Sequence, residues 1–152
     1  MHRSELTVDL GAVRRNARTL LRALDGAQLW AVVKADAYGH GAVDVAAAVL
    51  DEGVGALCVA TVPEALELRS EYPLVRILVM GPTSSSREVA DARAANLELA
   101  IWDDEIPEGV RVHLKLDTGM GRWGLAELPK PSAEVVGLMS HLATADSDPA
   151  FA

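Results

Sequence analysis

Cysteine is nearly missing. Cys58 is the single one in 152 residues. No disulfide can form within one chain, and a thiol inside an apolar run reads as buried and inert in a reducing compartment. There is no run of Lys or Arg, and the formal net charge is −8, so nucleic acid and anionic membrane are poor partners. No apolar stretch reaches the ~20 residues a transmembrane helix needs. The first ten residues, MHRSELTVDL, lack the hydrophobic core of a secretory signal. Together these absences predict a soluble cytoplasmic protein. Also missing are GxGxxG and the P-loop, the usual marks of open nucleotide-binding sheets. No histidine or cysteine set has zinc spacing, so no metal site is expected. Low-complexity segments and near-identical repeats are absent too.

What is present is core. Half of the residues are apolar, enough to bury roughly two-thirds of the unfolded surface in a chain of this size. Glu5 to Leu10 alternates and predicts a short strand. Asp9 or Gly11 can cap a helix over Ala12 to Leu24, with Val13, Ala17, Leu20, Leu21 and Leu24 on one face. Gln28 to Val33 predicts a strand, Ala42 to Leu50 a helix closed by Gly53, and Ala56 to Ala60 a buried strand. Thr61 and Glu64 have capping-box spacing and open a helix to about Ser70. Arg76 to Met80 is a further strand, and Ser85 with Glu88 opens a helix to Ala95. Leu97 to Trp102, Val110 to Leu116 and Val135 to Ser140 complete the strands, and Asp148-Pro149 looks like the start of another helix.

Strand–helix alternation with short connections predicts an α/β fold with a parallel sheet. Continuous apolar strands predict that both faces are covered. That leaves an open doubly wound sheet or a (β/α)8 TIM barrel. The chemically suggestive residues follow strand ends: Lys34, then Asp117 to Arg122, then His141. Barrel sites gather at the C-terminal ends of the strands, and this favours the barrel.

Each of these segments has a plain reading and a chemical one. Lys34 ends WAVVK and is followed by ADAYGHG. It is either a solvated lysine or an amine at a dry strand end, where lost hydration lowers the pKa and permits attack on a carbonyl. VHLKLDTGMGRWG, residues 112–124, is either a glycine-rich surface loop or a cradle in which Arg122 offers its rigid fork to a planar anion. His141, after an apolar strand in GLMSHLATAD, reads by itself as a structural residue or a metal ligand.

VVKADAYGHG closely resembles the pyridoxal-phosphate lysine segment of the alanine racemase family, and VHLKLDTGMGRWG is similar to a second segment of it. The resemblance runs from TVDLGAVRRNARTL through GLMSHLATAD. It implies that Lys34 carries pyridoxal 5'-phosphate as a Schiff base and serves as one catalytic base. It implies that Tyr38 helps to hold the phosphate, that Arg122 contacts the cofactor's phenolic oxygen and the substrate carboxylate, and that His141 packs against the cofactor ring. Lys115 matches a lysine that is carbamylated in some members and orients the arginine. The implied reaction interconverts L- and D-alanine through a Cα carbanion, supplying D-alanine for peptidoglycan, in a homodimer. A broad-specificity amino-acid racemase and a non-catalytic cofactor-binding module are the alternatives.

Residues 1–152 are then expected to be the N-terminal part of a TIM-barrel-type domain, truncated at about six of eight strands, with no second domain and the family's C-terminal β domain absent. The groups the family takes from that remainder include most of the phosphate cup, an arginine on the pyridine nitrogen and a second base, a tyrosine. The isolated chain is therefore expected to be weakly active or inactive. Two further departures stand out. Only about eight residues join the fourth and fifth strands, where parallel crossovers usually take a dozen or more. Pro129 and Pro131 break any long helix between the fifth and sixth.

Overall fold

The structure, a computed structural model, describes residues 4–145 and 147–148. The helix expected from Asp148-Pro149 lies outside them. Strands follow one another in the sheet in chain order, β1 to β6, with strand–helix alternation of the (β/α) barrel type. A closed barrel of that type takes eight strands. The chain forms two compact units, Met1–Ile77 and Leu78–Ala152.

In the first unit, α1 (Leu10–Ala23) begins where Asp9 accepts the N–H of Ala12 at 3.0 Å. The alternating Glu5–Leu10 segment is not a strand. Its last residue is already helical, and residues 5–9 pair with no strand among the described residues. Alternation marks a face, but a strand exists only where a ladder satisfies its backbone. Of the expected α1 stripe only Ala17 is fully buried, and Leu20 is 53% exposed. Arg14 and Arg18 reach Asp51 at 2.8 Å and Glu52 at 3.1 Å, tying α1 to the end of α3 (Ala42–Leu50).

Strand β1 (Trp30–Val32) lies parallel to β2 (Ala56–Val59), with Trp30 opposite Ala56. All four β2 residues are buried, but Val32 on β1 is 42% exposed, so β1 is covered less completely than its sequence suggests. Helix α2 (Lys34–Gly39) follows β1 directly, and α4 (Val62–Glu71) follows β2. The capping box is complete: Thr61 Oγ1 accepts from Glu64 N, and the Glu64 carboxylate accepts from Thr61 N. Arg69 then donates to the carbonyls of Tyr72, Pro73 and Val75, closing the turn into β3 (Ile77–Val79).

In the second unit, β3 pairs with β4 (Glu98–Ile101), β4 with β5 (Arg111–Lys115) and β5 with β6 (Val135–Met139), all parallel. Between β3 and β4 lies α5 (Ser86–Ala94), capped by Ser85. Its capping box is only half made, because Glu88 turns to the N–H and hydroxyl of Ser84. As the short link and the prolines predicted, no helix forms between β4 and β5 or between β5 and β6. Val79, Leu99 and Val112 in this unit, like Leu57 and Ile77 in the first, are at most 1% exposed. Each such side chain contributes about 1.5–3 kcal/mol. Cys58 is buried and free.

Candidate active site

The first unit presents Lys34 at the C-terminal end of β1. The lysine is half-buried rather than enclosed in a dry strand end. Its Nζ stands 5.9 Å from the centroid of the Tyr38 ring, and Tyr38 is itself 62% exposed. After Lys34 the glycines turn as expected, Gly39 at φ 81° and Gly41 at φ 88°, but the turn begins before them. Ala35, Asp36, Ala37 and Tyr38 all have φ between 50° and 56°, one turn of left-handed helix built from residues with side chains. Each costs roughly 1–2 kcal/mol against the right-handed form, so the surroundings must hold the turn. The Ala37 N–H donates to Val33 O at 2.9 Å. Asp36 Oδ1 accepts from Ala42 N at 2.6 Å, and His40 Nδ1 lies 2.8 Å from Ala37 O. At the start of the turn, Ala35 N–H donates to Glu64 Oε1 at 2.9 Å. Strain of this kind collects at functional positions. The turn brings Tyr38 back towards the lysine four residues before it.

The second unit carries the other three candidates. Lys115 ends β5 and is 6% exposed. Its Nζ donates to Arg122 O at 2.8 Å. Burial holds its amine below the usual lysine range, the Arg122 charge adds to the shift, and Asp117 opposes it. The loop from Leu116 to Leu125 is closed at its neck, where Asp117 N donates to Leu125 O at 2.9 Å and Leu125 N to Lys115 O at 2.7 Å. Within it, Asp117 Oδ1 accepts from Gly119 N at 2.9 Å and Gly121 N at 3.0 Å. These amides, Gly121 first, hold the Asp117 carboxyl below the usual range. Asp117 is thus a loop brace. Arg122 projects from this loop with its side chain exposed, and its guanidinium makes no hydrogen bond among the described residues. Trp123, with φ of 44°, stands 6.1 Å from Trp102. His141 is exposed just beyond β6, beside Ser140, which bonds Thr118 and Leu116 O.

Lys34 and Tyr38 thus stand together, as do Lys115 and Arg122. Nothing along the chain announces the left-handed turn, since a single aspartate tolerates positive φ but alanine and tyrosine disfavour it. Glu64 was foreseen only as a capping residue. A third group also went unread. Glu98 in β4, 1% exposed, accepts from Arg111 at 3.2 Å and lies 2.7 Å from His113 Nε2, which is 6% exposed. A carboxylate in ELAI and a histidine in RVHLK were the available signals. Among the described residues, no group of three or more His, Cys, Asp or Glu is placed to hold a metal ion, and no helix is long and apolar enough to cross a membrane.

A strand-end lysine on a strained turn and a buried lysine under an arginine loop lie in a stretch that matches a known domain. Residues 8–152 match the family described as alanine racemase, N-terminal domain. The chain belongs to the alanine racemase family. It is 41% identical to the alanine racemase of Sorangium cellulosum over 97% of this chain and 46% of that protein. With that of Symbiobacterium thermophilum it shares 42% identity over 91% of this chain and 42% of the relative. Among solved structures, alanine racemase from Streptomyces coelicolor matches 92% of this chain and 44% of its own, with a TM-score of 0.78 and 35% identity. The biosynthetic alanine racemase from Pseudomonas aeruginosa gives a TM-score of 0.80 at 35% identity over 91% and 44%. The chain therefore spans less than half the length of the curated relatives it matches. The Sorangium alignment runs over 175 positions, more than the 152 residues present here, so that relative carries residues with no counterpart in this chain. All five candidate residues fall inside the matched family stretch.

Proposed function

We propose that this chain is the lysine-bearing barrel part of an alanine racemase, residues 1–152 forming one pyridoxal-phosphate-binding domain. The observation that carries the reading is Lys34, placed at a β-strand end on a strained turn within a stretch that matches the alanine racemase N-terminal domain. The donor set suits the cofactor: an amine for its carbonyl, a phenol for its phosphate, and a guanidinium for its phenolate and the substrate carboxylate. When bound, pyridoxal phosphate supplies the electron sink that makes the Cα proton of alanine acidic.

The chain's own groups then have separate tasks. Lys34 Nζ would hold the cofactor, and its amine would take or return the Cα proton on one face. Tyr38 would donate its hydroxyl to the phosphate. Arg122 orients the substrate carboxylate. Lys115 steadies the Arg122 loop through its bond to the Arg122 carbonyl, and its lowered amine pKa favours the neutral form that reacts with carbon dioxide. His141, exposed just beyond β6, would lie against the cofactor ring. The completed enzyme acts in the cytoplasm as a homodimer, and its D-alanine goes to peptidoglycan.

The test is attachment. The purified chain is mixed with pyridoxal phosphate and reduced with borohydride, and the pyridoxyl label is located by peptide mapping. One label per chain on Lys34, lost in Lys34→Ala, is the expected result. Label scattered over Lys34, Lys115 and Lys130, or none, would sink the reading. Coverage of under half of each relative favours a second reading for the chain by itself, cofactor binding without turnover. That reading predicts the same Lys34 label with no D-alanine formed.

A further inference from the structure

Glu64 is the residue that links α4 to the turn after Lys34. Its carboxylate is fully engaged. Oε2 accepts from Ala60 N at 2.8 Å and Thr61 N at 3.1 Å, which completes the α4 cap. Oε1 is not needed for that cap. It reaches across 29 residues to the Ala35 N–H at 2.9 Å. That amide belongs to the first left-handed residue, with φ of 50°. It stands one residue before the Asp36 amide and two before Ala37, whose N–H is the first to close the turn, on Val33 O. The Ala35 N–H therefore has no partner within the turn, and a carboxylate supplies one. Val33, Asp36 and Glu64 also line a common cavity of about 110 Å³, which places the carboxylate beneath the turn.

We propose that Glu64 is a positioning residue for Lys34: by holding the Ala35 amide it fixes the left-handed turn, and with it the direction in which the lysine leaves β1. Capping explains two of its three backbone contacts. The third falls on the peptide unit that joins Lys34 to Ala35. Loss of that contact frees the turn at its first residue, and the lysine then samples directions that do not meet an aldehyde held by Tyr38. The inference rests on Lys34 being the cofactor lysine.

Two substitutions separate positioning from capping. In Glu64→Gln the amide oxygen serves the two capping N–H groups, and the NH2 group faces Ala35 N–H, donor against donor. In Thr61→Ala the cap loses its other half, the bond from Glu64 N to Thr61 Oγ1, and the Ala35 contact stays. Both variants of the full chain are compared at matched distance below their melting temperatures. The readouts are exchange of the Ala35 amide and pyridoxal-phosphate labelling of Lys34 relative to Lys130. Glu64→Gln is expected to speed Ala35 exchange and lower Lys34 labelling, each about tenfold, the scale of one charge-assisted hydrogen bond. Thr61→Ala should leave both within about twofold. Lys34 labelling that is unchanged in Glu64→Gln, or lowered equally in Thr61→Ala, overturns the proposal. No preference for Lys34 in the unsubstituted chain instead overturns the functional reading, and Ala35 exchange still tells whether Glu64 holds the turn.

Discussion

Lys115 shows how much a single residue's surroundings decide. The sequence presents it as one of three lysines, indistinguishable by composition from Lys130. In the fold it is 6% exposed, while Lys130 is exposed. Desolvation lowers its amine pKa from the ordinary lysine value of 10.5. The unfolded chain therefore holds a proton on this group in a pH range where the folded chain has released it. Stability rises with pH wherever the unfolded state binds more protons. The cost of the buried charge is complete below the folded pKa and fades as pH climbs towards 10.5. Lys115→Met removes this dependence. Urea titrations of both chains are expected to show the difference moving in favour of the unsubstituted chain as pH rises, and a difference that stays flat with pH would contradict the buried amine. Tyr72, whose pKa is raised mainly by burial, acts in both chains and cancels in the comparison.

Among the elements, the β5–β6 pair is the most constrained. The ladder shifts between Val112 and His113, so that Val112 faces Val135 but His113 faces Gly137. A Cβ on Gly137 would fall on the His113 ring, and that ring is held against the buried Glu98 carboxylate. The irregularity makes room for a large polar side chain in a packed layer. Gly137→Ala must push the ring off Glu98 or open the ladder. An overpacked core costs about 1–3 kcal/mol, and a broken buried pair about 3–5. A loss of about 2–4 kcal/mol in urea unfolding is expected, and a loss under about 0.5 would show that the ring has somewhere else to go. The β1–α2 junction is constrained differently. There the backbone is strained, and side chains from α4 and from the turn itself, Glu64 and Asp36, hold it.

For the molecule as a whole, the question is how much of a racemase these 152 residues make. Racemisation needs a base on each face of the reacting carbon. In the function proposed above, Lys34 is assigned to one face. The tyrosine that the family resemblance assigns to the other has no match in this chain. The purified chain is expected to take up pyridoxal phosphate and to form no D-alanine above the rate of the cofactor free in solution, measured by a coupled D-amino-acid oxidase assay. Turnover at an ordinary enzymatic rate would show that one of the chain's own groups serves as the second base. Val136 and Leu138 on β6 are 43% and 64% exposed, and Val32 at the end of β1 is 42% exposed. Apolar side chains on strands at the ends of a sheet order are where further chain packs or aggregation begins.

Local patterns were legible wherever the physics is local. The caps at Asp9, Thr61 and Ser85, the apolar strands, the missing helix after β4 and the places of Lys34, Arg122 and His141 beyond strand ends all come from short-range chemistry. So does the family, because its lysine and arginine segments are runs of particular side chains. The sequence by itself therefore determined the alternation of elements, the family and the names of the candidate residues. Only the tertiary structure decided their surroundings. It left Glu5–Leu10 without a ladder. It wound Ala35–Tyr38 left-handed against their own preference, with Glu64, 29 residues from Ala35, among the groups that hold the turn. It also buried Lys115 and gathered Arg111, Glu98 and His113 into one layer. The physical reason is the same throughout. A hydration change or a hydrogen bond depends on what lies across space, and pattern along the chain does not record it.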